Sequence, residues 1–398
     1  MSLSLLKSTF LQVILPTWAA VGYDKRCGQF VEHLELDGSA QTSGEVRTRT
    51  VARQIYVHAH AAHLGVAPPA SLRMAEAAFA NLHRVAWIGG RRGGYARAFN
   101  RHTDRVTDSV RDLYDSSCIL LALSWLLTAT GKDMYRHHID QALIAIDRTL
   151  KDPFGGWAED SDGSLPRRQN PHMHYLEAIL ALCEKNRTSA HMRAEGRAFA
   201  LLRSHFLVGP NGPLHEFFGP QWQLAAQYGS DRLEPGHMCE WVWLTTRHDM
   251  LTDSDHTKIC LDLLSTALAI GRSGGSPFLV DVVSAFRPIP PSRRLWPQVE
   301  MLKAFLSLYE RLGFPGYLVE ANDLAAAILG TYMSGTPPGC WHDRIDMNAK
   351  PIAQTIPASS LYHLWTAVAD LVDDDRHARS PSASHISIAS WTKGHTLS

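Results

Sequence analysis

The chain has 398 residues, of which 45% are hydrophobic and 20% charged, and its 39 lysines and arginines equal its 39 aspartates and glutamates. This composition is typical of a globular protein with a large core, and it excludes an intrinsically disordered chain. A net charge of zero disfavours nucleic acid as a partner, because binding to a polyanion normally uses an excess of basic residues.

The first predicted element is an amphipathic helix within residues 3–20. Leu6, Phe10 and Ile14 fall at helical spacing, and polar residues such as Lys7 interrupt the apolar run. The segment lacks the basic cluster that begins a signal peptide. The chain also has no stretch of about 18 uninterrupted apolar residues. We therefore expect neither a signal peptide nor a membrane span.

Cysteine usage indicates the cellular compartment. The six cysteines are spread thinly, and no two of them form a C-x-x-C pair. This pattern does not fit a zinc ribbon or a dense disulfide framework, and it is typical of a reducing environment. We therefore predict a cytoplasmic protein.

A repeat runs through the chain. A glycine-containing turn followed by an aromatic residue recurs six times, with a degenerate fourth copy. The aromatic residues of the six turns are Phe30, Tyr95, Trp157, Phe217, Phe278 and Trp341. Their even spacing predicts six structural units of about 62 residues each. Two interpretations of the rings stay open: they line the mouth of a pocket, or they pack against neighbouring helices.

Helical periodicity fills the segments between these turns. The predicted helices include residues 110–130, 172–185, 299–312 and 359–372. Few segments alternate with period two, so we expect strands to be minor. Six helical hairpins in a row form either an open solenoid or a closed ring. Because the chain shows no polar capping repeat, we predict an all-α fold, the (α/α)6 barrel, over residues 1–372.

The end of the chain has a different composition. Residues 373–398 are rich in serine and in charged side chains. Such a segment cannot bury enough apolar surface to order itself. We predict a flexible tail without a catalytic part.

Two histidine-rich motifs carry candidate chemistry, at residues 169–174 and 234–241. In the second motif, His237 and Glu240 are three residues apart and share a face of a helix. A carboxylate beside an imidazole fixes the orientation of the ring and favours its protonated form, which suits acid–base catalysis. His363, one turn into the last predicted helix, is a further candidate.

Metal and cofactor chemistry have weaker support. His172 and His174 are two residues apart, a spacing that points them in different directions on a helix, and no H-E-x-x-H motif is present. Histidines and a glutamate from distant segments could still assemble a metal site, but we expect none. The chain also lacks a P-loop and a dinucleotide-binding fingerprint. We therefore expect no cofactor.

Several motifs resemble those of the N-acylglucosamine 2-epimerase family, and within it the mannose isomerase-like branch. The pattern N-P-H-M-H-x-x-E-A occurs at 170–178, E-P-G-H-x-x-E-W at 234–241 and R-x-W-P-Q-x-E at 294–300. The resemblance extends in order from about residue 10 to 372. It implies an (α/α)6 barrel, which the repeat predicts independently, and a reaction at C1 and C2 of a sugar.

The resemblance also implies roles for single residues. His237 is expected to be the main base at C2 and C1, with Glu240 orienting it. His363 is expected to open the sugar ring or to protonate the opposite face, although the roles of the two histidines can be exchanged. Arg53 is expected to stabilise charge on the enediolate oxygens. The residues expected to hold the sugar are Tyr114, Asn170, His174 and Trp296.

These observations predict an aldose–ketose isomerase that interconverts mannose and fructose, and similar sugars, through a cis-enediol. The alternative is a sugar 2-epimerase acting on N-acetylglucosamine or on a β-1,4-disaccharide such as cellobiose, because that reaction also needs histidines at C2. A phosphorylated sugar would require spare cations at the pocket mouth, for which Arg91 and Arg92 are candidates.

Two other classes of protein fit the sequence less well than an enzyme that acts on monosaccharides. A glycoside hydrolase would need two carboxylates beside a cleft, such as Glu240 and Glu300, and the histidine pairing argues against it. A non-catalytic helical-repeat protein would not need histidines that titrate near neutral pH. The sequence leaves open whether the chain forms a homo-oligomer.

Overall fold

A computed structural model describes residues 1–209, 212–284 and 289–379 of the chain. Thirteen α-helical segments dominate the described part. They are α1 (Ser2–Thr9), α2 (Leu15–Val21), α3 (Thr48–His63), α4 (Ser71–Ala86), α5 (Leu113–Thr130), α6 (Asp133–Leu150), α7 (Gln169–Lys185), α8 (Ser189–Leu201), α9 (Pro235–Thr252), α10 (Thr257–Gly271), α11 (Leu295–Leu312), α12 (Pro315–Tyr332) and α13 (Ala358–Arg379). A π-helical turn, Phe10–Ile14, joins α1 and α2 into one continuous helix.

The helices form two concentric layers. The inner layer consists of α3, α5, α7, α9, α11 and α13, and each of these helices contacts the next around the ring. The outer layer consists of the α1–α2 helix, α4, α6, α8, α10 and α12. Because α13 also contacts α3, the ring is closed. The predicted (α/α)6 barrel is therefore confirmed.

Inner and outer helices differ in the distribution of their apolar residues, because their surroundings differ. The inner helix α5 is apolar around its whole circumference and is buried along most of its length. In the outer helix α4, the buried residues Ala75, Phe79, Leu82 and Ala86 recur at helical spacing, and the remaining faces are exposed.

Local signals fix the ends of α5. Its N-cap residue Asp112 accepts a hydrogen bond from the backbone N–H of Asp115 at 2.6 Å. Gly131 ends the helix with a φ of 67°, in the left-handed region that glycine adopts without steric cost. The predicted end of this helix at residue 130 is therefore correct, and its start lies at Leu113 rather than at residue 110.

Two helices, Ser2–Val21 and Leu113–Thr130, are long and apolar enough to cross a membrane by length and composition alone. Both are elements of the barrel: the second is α5 of the inner layer, and the first packs against α12 and α13. Leu6, Phe10 and Ile14 are buried there, as the amphipathic pattern predicts.

Short strands link the irregular connections that precede the inner helices. The strands are β1 (Tyr23–Asp24), β2 (Gln29–Phe30), β3 (His33–Leu34), β4 (Glu45–Arg47), β5 (Trp87–Ile88), β6 (Gly94–Tyr95), β7 (Ala98–Asn100), β8 (Arg105–Asp108), β9 (Arg167–Arg168), β10 (Phe217–Phe218), β11 (Arg232–Leu233), β12 (Val283–Ser284), β13 (Arg293–Arg294), β14 (Arg344–Ile345) and β15 (Ile356–Pro357). All named pairs are antiparallel.

These pairs connect neighbouring units around one rim of the barrel. The strand before an inner helix pairs with a strand of the following connection in β4–β7, β9–β10, β11–β12 and β13–β14. A single bridge between Asp112 and Asp160 makes the corresponding link for α5. The last strand, β15, pairs with β3 near the start of the chain. The rim is therefore closed as well, at the end where every inner helix begins.

Five of the six aromatic residues of the repeated turns pack into the core. Phe30, Tyr95, Trp157, Phe278 and Trp341 are all buried, and Trp341 stacks on Trp18 with ring centroids 5.1 Å apart. For these five rings, packing against neighbouring helices is the correct interpretation. Phe217 is half-buried, and the guanidinium of Arg232 lies over its ring.

The last inner helix passes the predicted domain boundary. It continues from Ala358 beyond residue 372 to Arg379. Residues 380–398, which make up most of the predicted tail, lie outside the described residues.

Candidate active site

The eight predicted site residues lie at the rim end of the barrel, in the first two turns of the inner helices. Arg53 belongs to α3 and Tyr114 to α5; Asn170 and His174 belong to α7; His237 and Glu240 belong to α9; Trp296 belongs to α11 and His363 to α13. All six inner helices therefore contribute to one cluster. The structure brings the predicted residues together, and it changes the partners of two of them.

His237 is held by a carboxylate that the sequence analysis did not identify. Its Nδ1 lies 2.9 Å from Oε2 of Glu216 and 3.5 Å from Oε2 of Glu234. Burial alone would lower the pKa of His237, but the negative charges of Glu216 and Glu234 outweigh it and raise the pKa to about 9. The predicted pairing of His237 with Glu240 is therefore wrong.

Asn170 contacts the other nitrogen of the same imidazole. Its Nδ2 lies 3.1 Å from Nε2 of His237, while its buried Oδ1 has no hydrogen-bond partner among the described residues. Rotation of the amide by half a turn would bring Oδ1 onto the Nε2–H of a protonated His237. Asn170 can thus serve either protonation state of the ring.

His363 has a different environment. Its Nδ1 lies 2.7 Å from Oε1 of Glu300, and Oε2 of Glu300 accepts a hydrogen bond from Nζ of Lys303 at 2.8 Å. Burial, with the positive charges of Arg53 and Lys303, lowers the pKa of His363 well below its ordinary value. At neutral pH the ring is therefore uncharged.

Glu300, which the sequence offered only as a candidate hydrolase carboxylate, contacts two side chains of the site. Its carboxylate joins His363 to Lys303, and all three side chains are buried. Lys303 lies over the ring of Trp243 with Nζ 3.6 Å from the centroid. The lysine supplies the positive charge that a buried carboxylate requires.

His174 connects the carboxylate of Glu177 to the guanidinium of Arg53. Its Nδ1–H donates to Oε2 of Glu177 at 3.0 Å, and its Nε2 accepts from Nη2 of Arg53 at 3.2 Å. Burial, which Glu177 offsets only in part, lowers the pKa of His174 to about 4. Tyr114 stacks on the imidazole at 4.8 Å, and its hydroxyl accepts from Arg53 at 2.8 Å. The Tyr362 hydroxyl donates to Glu177.

Glu240 occupies the middle of the cluster. One of its oxygens lies 3.8 Å from Nδ1 of His174, and neither oxygen has a hydrogen-bond partner among the described residues. Burial and the charge of Glu300 raise the pKa of Glu240 well above its ordinary value. A buried carboxyl group without a partner is a group that a polar ligand would satisfy.

Trp296 is a neighbour of both outer imidazoles. Its ring centroid is 4.9 Å from that of His237 and 5.6 Å from that of His363. The imidazole centroids are therefore separated by no more than the sum of these distances, which is comparable with the width of a monosaccharide and its hydroxyl groups. An indole beside two polar groups is a suitable surface for the apolar face of a sugar.

Three groups of side chains in this region have ligand atoms within 4.8 Å of one another and could hold a metal ion. They are His174–Glu177–Glu240, Glu216–Glu234–His237 and Glu240–Glu300–His363. In each group a carboxylate already contacts Nδ1 of the histidine. The expectation of a metal-independent site stays a prediction.

The residues that the sequence analysis missed are mainly the carboxylates that hold the imidazoles. Glu216 directly precedes Phe217 in the fourth repeated turn, which is the degenerate copy of the repeat. A polar residue inside that turn was the available signal. Glu177 was visible as the acidic residue three positions after His174, a spacing that places both on one helix face.

Comparison with known proteins gives consistent results. A family model described as N-acylglucosamine 2-epimerase (GlcNAc 2-epimerase) matches residues 28–367. The chain is 31% identical over 373 residues to a mannose-6-phosphate isomerase from Rhizobium meliloti (strain 1021), covering 90% of this chain and 94% of that protein. It is 28% identical over 274 residues to a D-mannose isomerase from Thermobifida fusca, covering 62% and 65% of the two chains.

Solved structures share the fold. A cellobiose 2-epimerase from Bacillus thermoamylovorans B4167 is similar with a TM-score of 0.82 and 17% identity, over 94% of this chain and 99% of that one. A D-mannose isomerase is similar with a TM-score of 0.81 and 19% identity, over 92% and 98% of the two chains. At these identities the structural likeness shows the architecture alone.

Proposed function

The chain belongs to the N-acylglucosamine 2-epimerase family, and we propose that within it this sugar isomerase or epimerase is an aldose–ketose isomerase that interconverts mannose and fructose. The observation that carries the proposal is the pair His237 and His363. Each imidazole is held by a buried carboxylate, both adjoin the indole of Trp296, and their environments displace their pKa values in opposite directions. Such a divergence separates an acid from a base.

His363 is the better candidate for the base at carbon. When its Nδ1–H donates to Glu300, the uncharged ring keeps a lone pair on Nε2. In the proposed reaction Nε2 removes the proton from C2 of the open-chain aldose and later delivers a proton to C1. This exchanges the roles that the sequence analysis assigned, because His237 is the histidine with the raised pKa.

His237 then transfers protons to and from the sugar oxygens O1 and O2. As an imidazolium it protonates O1 while the electrons of the C2–H bond form the C1=C2 double bond of the cis-enediol. It next takes the proton from O2, C1 receives its proton from His363, and both histidines return to their starting states. The same acid can protonate the ring oxygen when the cyclic sugar opens.

Arg53 supports the negative charge that develops on the enediol oxygens. Its guanidinium is buried, lies over the Tyr362 ring at 4.4 Å and donates to both Tyr114 and His174. A fixed cation in a site with little water stabilises an oxyanion more strongly than the same cation would in bulk solvent. Glu240, whose carboxyl oxygens lack partners, is a candidate acceptor or donor for a sugar hydroxyl.

We infer that the substrate is an unphosphorylated sugar. Three arginines directly precede inner helices at the rim, and each already contacts a carboxylate: Arg47 Nε with Glu32 at 2.6 Å, Arg168 Nε with Glu159 at 2.6 Å and Arg294 Nε with Asp281 at 3.4 Å. A phosphate would have to compete with these pairs. Arg91 and Arg92, the earlier candidates, are exposed at the tip of the β5–β6 hairpin.

The test is to incubate the purified protein in deuterated water with mannose, mannose 6-phosphate, glucose, N-acetylglucosamine or cellobiose, and to follow the products by NMR. The proposal predicts fructose from mannose, with deuterium at C1, and a kcat/KM for mannose at least tenfold above that for mannose 6-phosphate. Absence of ketose from every aldose would overturn it.

The same experiment evaluates a 2-epimerase. Two imidazoles that both adjoin one indole could also act on opposite faces of C2. An epimerase would return the C2 epimer of its substrate, labelled at C2, without accumulating ketose.

A further inference from the structure

A second cluster of metal-ligating side chains lies at the other end of α9, away from the candidate active site. His248 and Asp249 belong to the last two turns of α9, and His256 directly precedes α10. Each of the three side chains offers one ligand atom, and these atoms lie within 4.8 Å of one another. Nothing in the proposed isomerase chemistry uses them.

A buried carboxylate orients each imidazole. Nδ1 of His248 lies 2.5 Å from Oε1 of Glu195 in α8, and Nδ1 of His256 lies 2.6 Å from Oδ1 of Asp249. The contact between Glu195 and His248 is the usual support of a metal-binding histidine, because it fixes the ring and increases the basicity of the other nitrogen, whereas the carboxylate on His256 is itself a member of the cluster. For His248 that other nitrogen is Nε2, near the hydroxyl of Thr252 at 3.5 Å.

The charges around the cluster leave it anionic. Glu195, Asp249 and Asp255 contribute three carboxylates, against which Arg311 donates to Asp249 at 2.7 Å and to Asp255 at 2.8 Å. Arg203 is a second cation that lines the adjoining surface groove. Three carboxylates against two guanidinium groups leave a negative charge, which favours a divalent cation.

The cluster is also accessible. His248 and His256 line a surface groove together with Phe199 and Ser204. Their ring centroids are 5.5 Å apart, and Phe199 stacks on His248 at 3.5 Å, which limits the freedom of that ring. A cation could enter from the groove and keep a water molecule from solvent as its fourth ligand.

We propose that His248, His256 and Asp249 form a binding site for a divalent transition metal, with Zn²⁺ the best match. Two imidazole nitrogens, one carboxylate oxygen and a water complete a tetrahedral shell of the kind that Zn²⁺ prefers. The cation takes the place of the hydrogen shared by His256 Nδ1 and Asp249 Oδ1, and His256 then carries its proton on Nε2. Mg²⁺ and Ca²⁺ select oxygen ligands and are disfavoured here.

Binding would fasten the end of α9 to the start of α10. Because α9 carries His237 at its other end, the metal has a structural role and leaves the acid–base chemistry to the rim. A ligand at about 100 times its Kd stabilises the folded chain enough to raise the melting temperature by about 4 °C.

The test uses the full chain after treatment with a chelator, titrated with ZnCl₂ in a calorimeter. Because the active site contains other carboxylate–histidine groups, the readout is the difference in stoichiometry between matched proteins. The wild type should bind one more equivalent than His256→Ala and Asp249→Asn. The control His137→Ala, which removes an exposed histidine on α6, should bind as the wild type does.

Melting curves without metal establish that each variant is folded. The Zn²⁺-dependent rise in melting temperature should be present in the wild type and in the His137→Ala control and absent from the two cluster variants. Equal zinc stoichiometry in wild type and His256→Ala, or equal competition by Mg²⁺, would overturn the proposal. Isomerase activity should be unchanged in His256→Ala, so this result is independent of the proposed function.

Discussion

Two chemically identical side chains acquire different properties from their neighbours. The carboxylates Glu216 and Glu234 raise the pKa of His237 to about 9 against the effect of burial. The carboxylate beside His363 is itself neutralised by Lys303, so burial and nearby cations dominate and the pKa falls. The division between acid and base therefore depends on the residues behind the imidazoles.

Replacement of Glu216 tests this dependence. In Glu216→Gln the charge that favours the imidazolium is lost, so the pKa of His237 falls. Because His237 must be protonated to act as the acid, the alkaline limb of the kcat profile should move from near pH 9 towards neutral pH. We expect kcat at pH 8 to fall by about 10-fold, because only about a tenth of the imidazoles would then be protonated. The control Glu320→Gln alters an exposed glutamate that pairs with Arg272 and should leave the profile unchanged.

Replacement of Lys303 tests the pair formed by His363 and Glu300. In Lys303→Met the buried carboxylate of Glu300 loses its counter-charge and its hydrogen bond. A buried carboxylate without a counter-charge is a poor support for His363, so the ring is no longer held in its basic tautomer. We expect a loss of about 3 kcal/mol in unfolding free energy and a fall in kcat with little change in KM. Lys258→Met, at an exposed i,i+4 pair, is the control; an unchanged kcat in Lys303→Met would contradict the assignment.

The sequence predicts the identity of the imidazoles better than the identity of their partners. His237 and His363 belong to recognisable motifs, and the structure brings both to one cluster. The contact between His237 and Glu216 joins two residues across an irregular connection, where no helical or strand periodicity relates one position to the other. Spacing along α9 favoured Glu240 instead, although the side chain of Glu240 lies towards His174.

At the level of elements, the α1–α2 helix connects the two ends of the barrel. The α1–α2 helix packs against α12 and α13, and so covers the seam between the last unit and the first. Trp18 is fully buried there, stacks on Trp341 and donates its indole N–H to the carbonyl of Gly339 at 3.1 Å. One side chain thus joins the start of the chain to the sixth repeated turn.

Truncation of Trp18 should open this seam. We expect Trp18→Ala to lower the unfolding free energy by about 3–5 kcal/mol, because it leaves a large cavity and an unpaired carbonyl group. The control Leu5→Ala changes an exposed residue of the same helix and should cost less than about 0.5 kcal/mol. Urea denaturation measures both; equal costs would show that the helix is not needed for closure.

Helix ends at glycine were predicted accurately, and other ends were not. The predicted ends at residues 130 and 312 agree with α5 and α11, because Gly131 and Gly313 adopt left-handed φ values. The predicted start of α7 at residue 172 is three residues late, because the helix begins at Gln169 and Pro171 lies inside its first turn. The strand pairs of the rim have two to four residues each, too few to produce a periodic pattern.

At the scale of the whole molecule, the barrel buries many histidines, and burial favours their neutral form. Burial lowers the pKa of His58 and His174 to about 4 and of His172 to about 3, and it lowers those of His60 and His363 well below the ordinary value. In the unfolded chain the same groups titrate near 6.5. Below that pH the unfolded state therefore binds protons that the folded state does not.

This difference predicts the direction of acid sensitivity. For a histidine whose folded pKa is lowered, stability is present above the unfolded pKa and is lost as the pH falls below it. His237 acts in the opposite sense, since its folded pKa is raised and its contribution is lost as the pH rises through about 9. Glu240, whose pKa is raised, also favours the folded state as the pH falls. Five histidines with lowered pKa values outweigh these two groups, so the urea midpoint should fall between pH 7 and pH 5. A midpoint that is unchanged or higher at pH 5 would contradict the buried neutral histidines.

The most direct measurement is the protonation state of the two imidazoles that face Trp296. Protein labelled with ¹⁵N at histidine can be examined by NMR at pH 7, with the signals assigned through His237→Asn and His363→Asn. We expect His237 to carry protons on both nitrogens and His363 to carry one, on Nδ1 towards Glu300. A charged His363 or a neutral His237 at this pH would contradict the proposed division into base and acid.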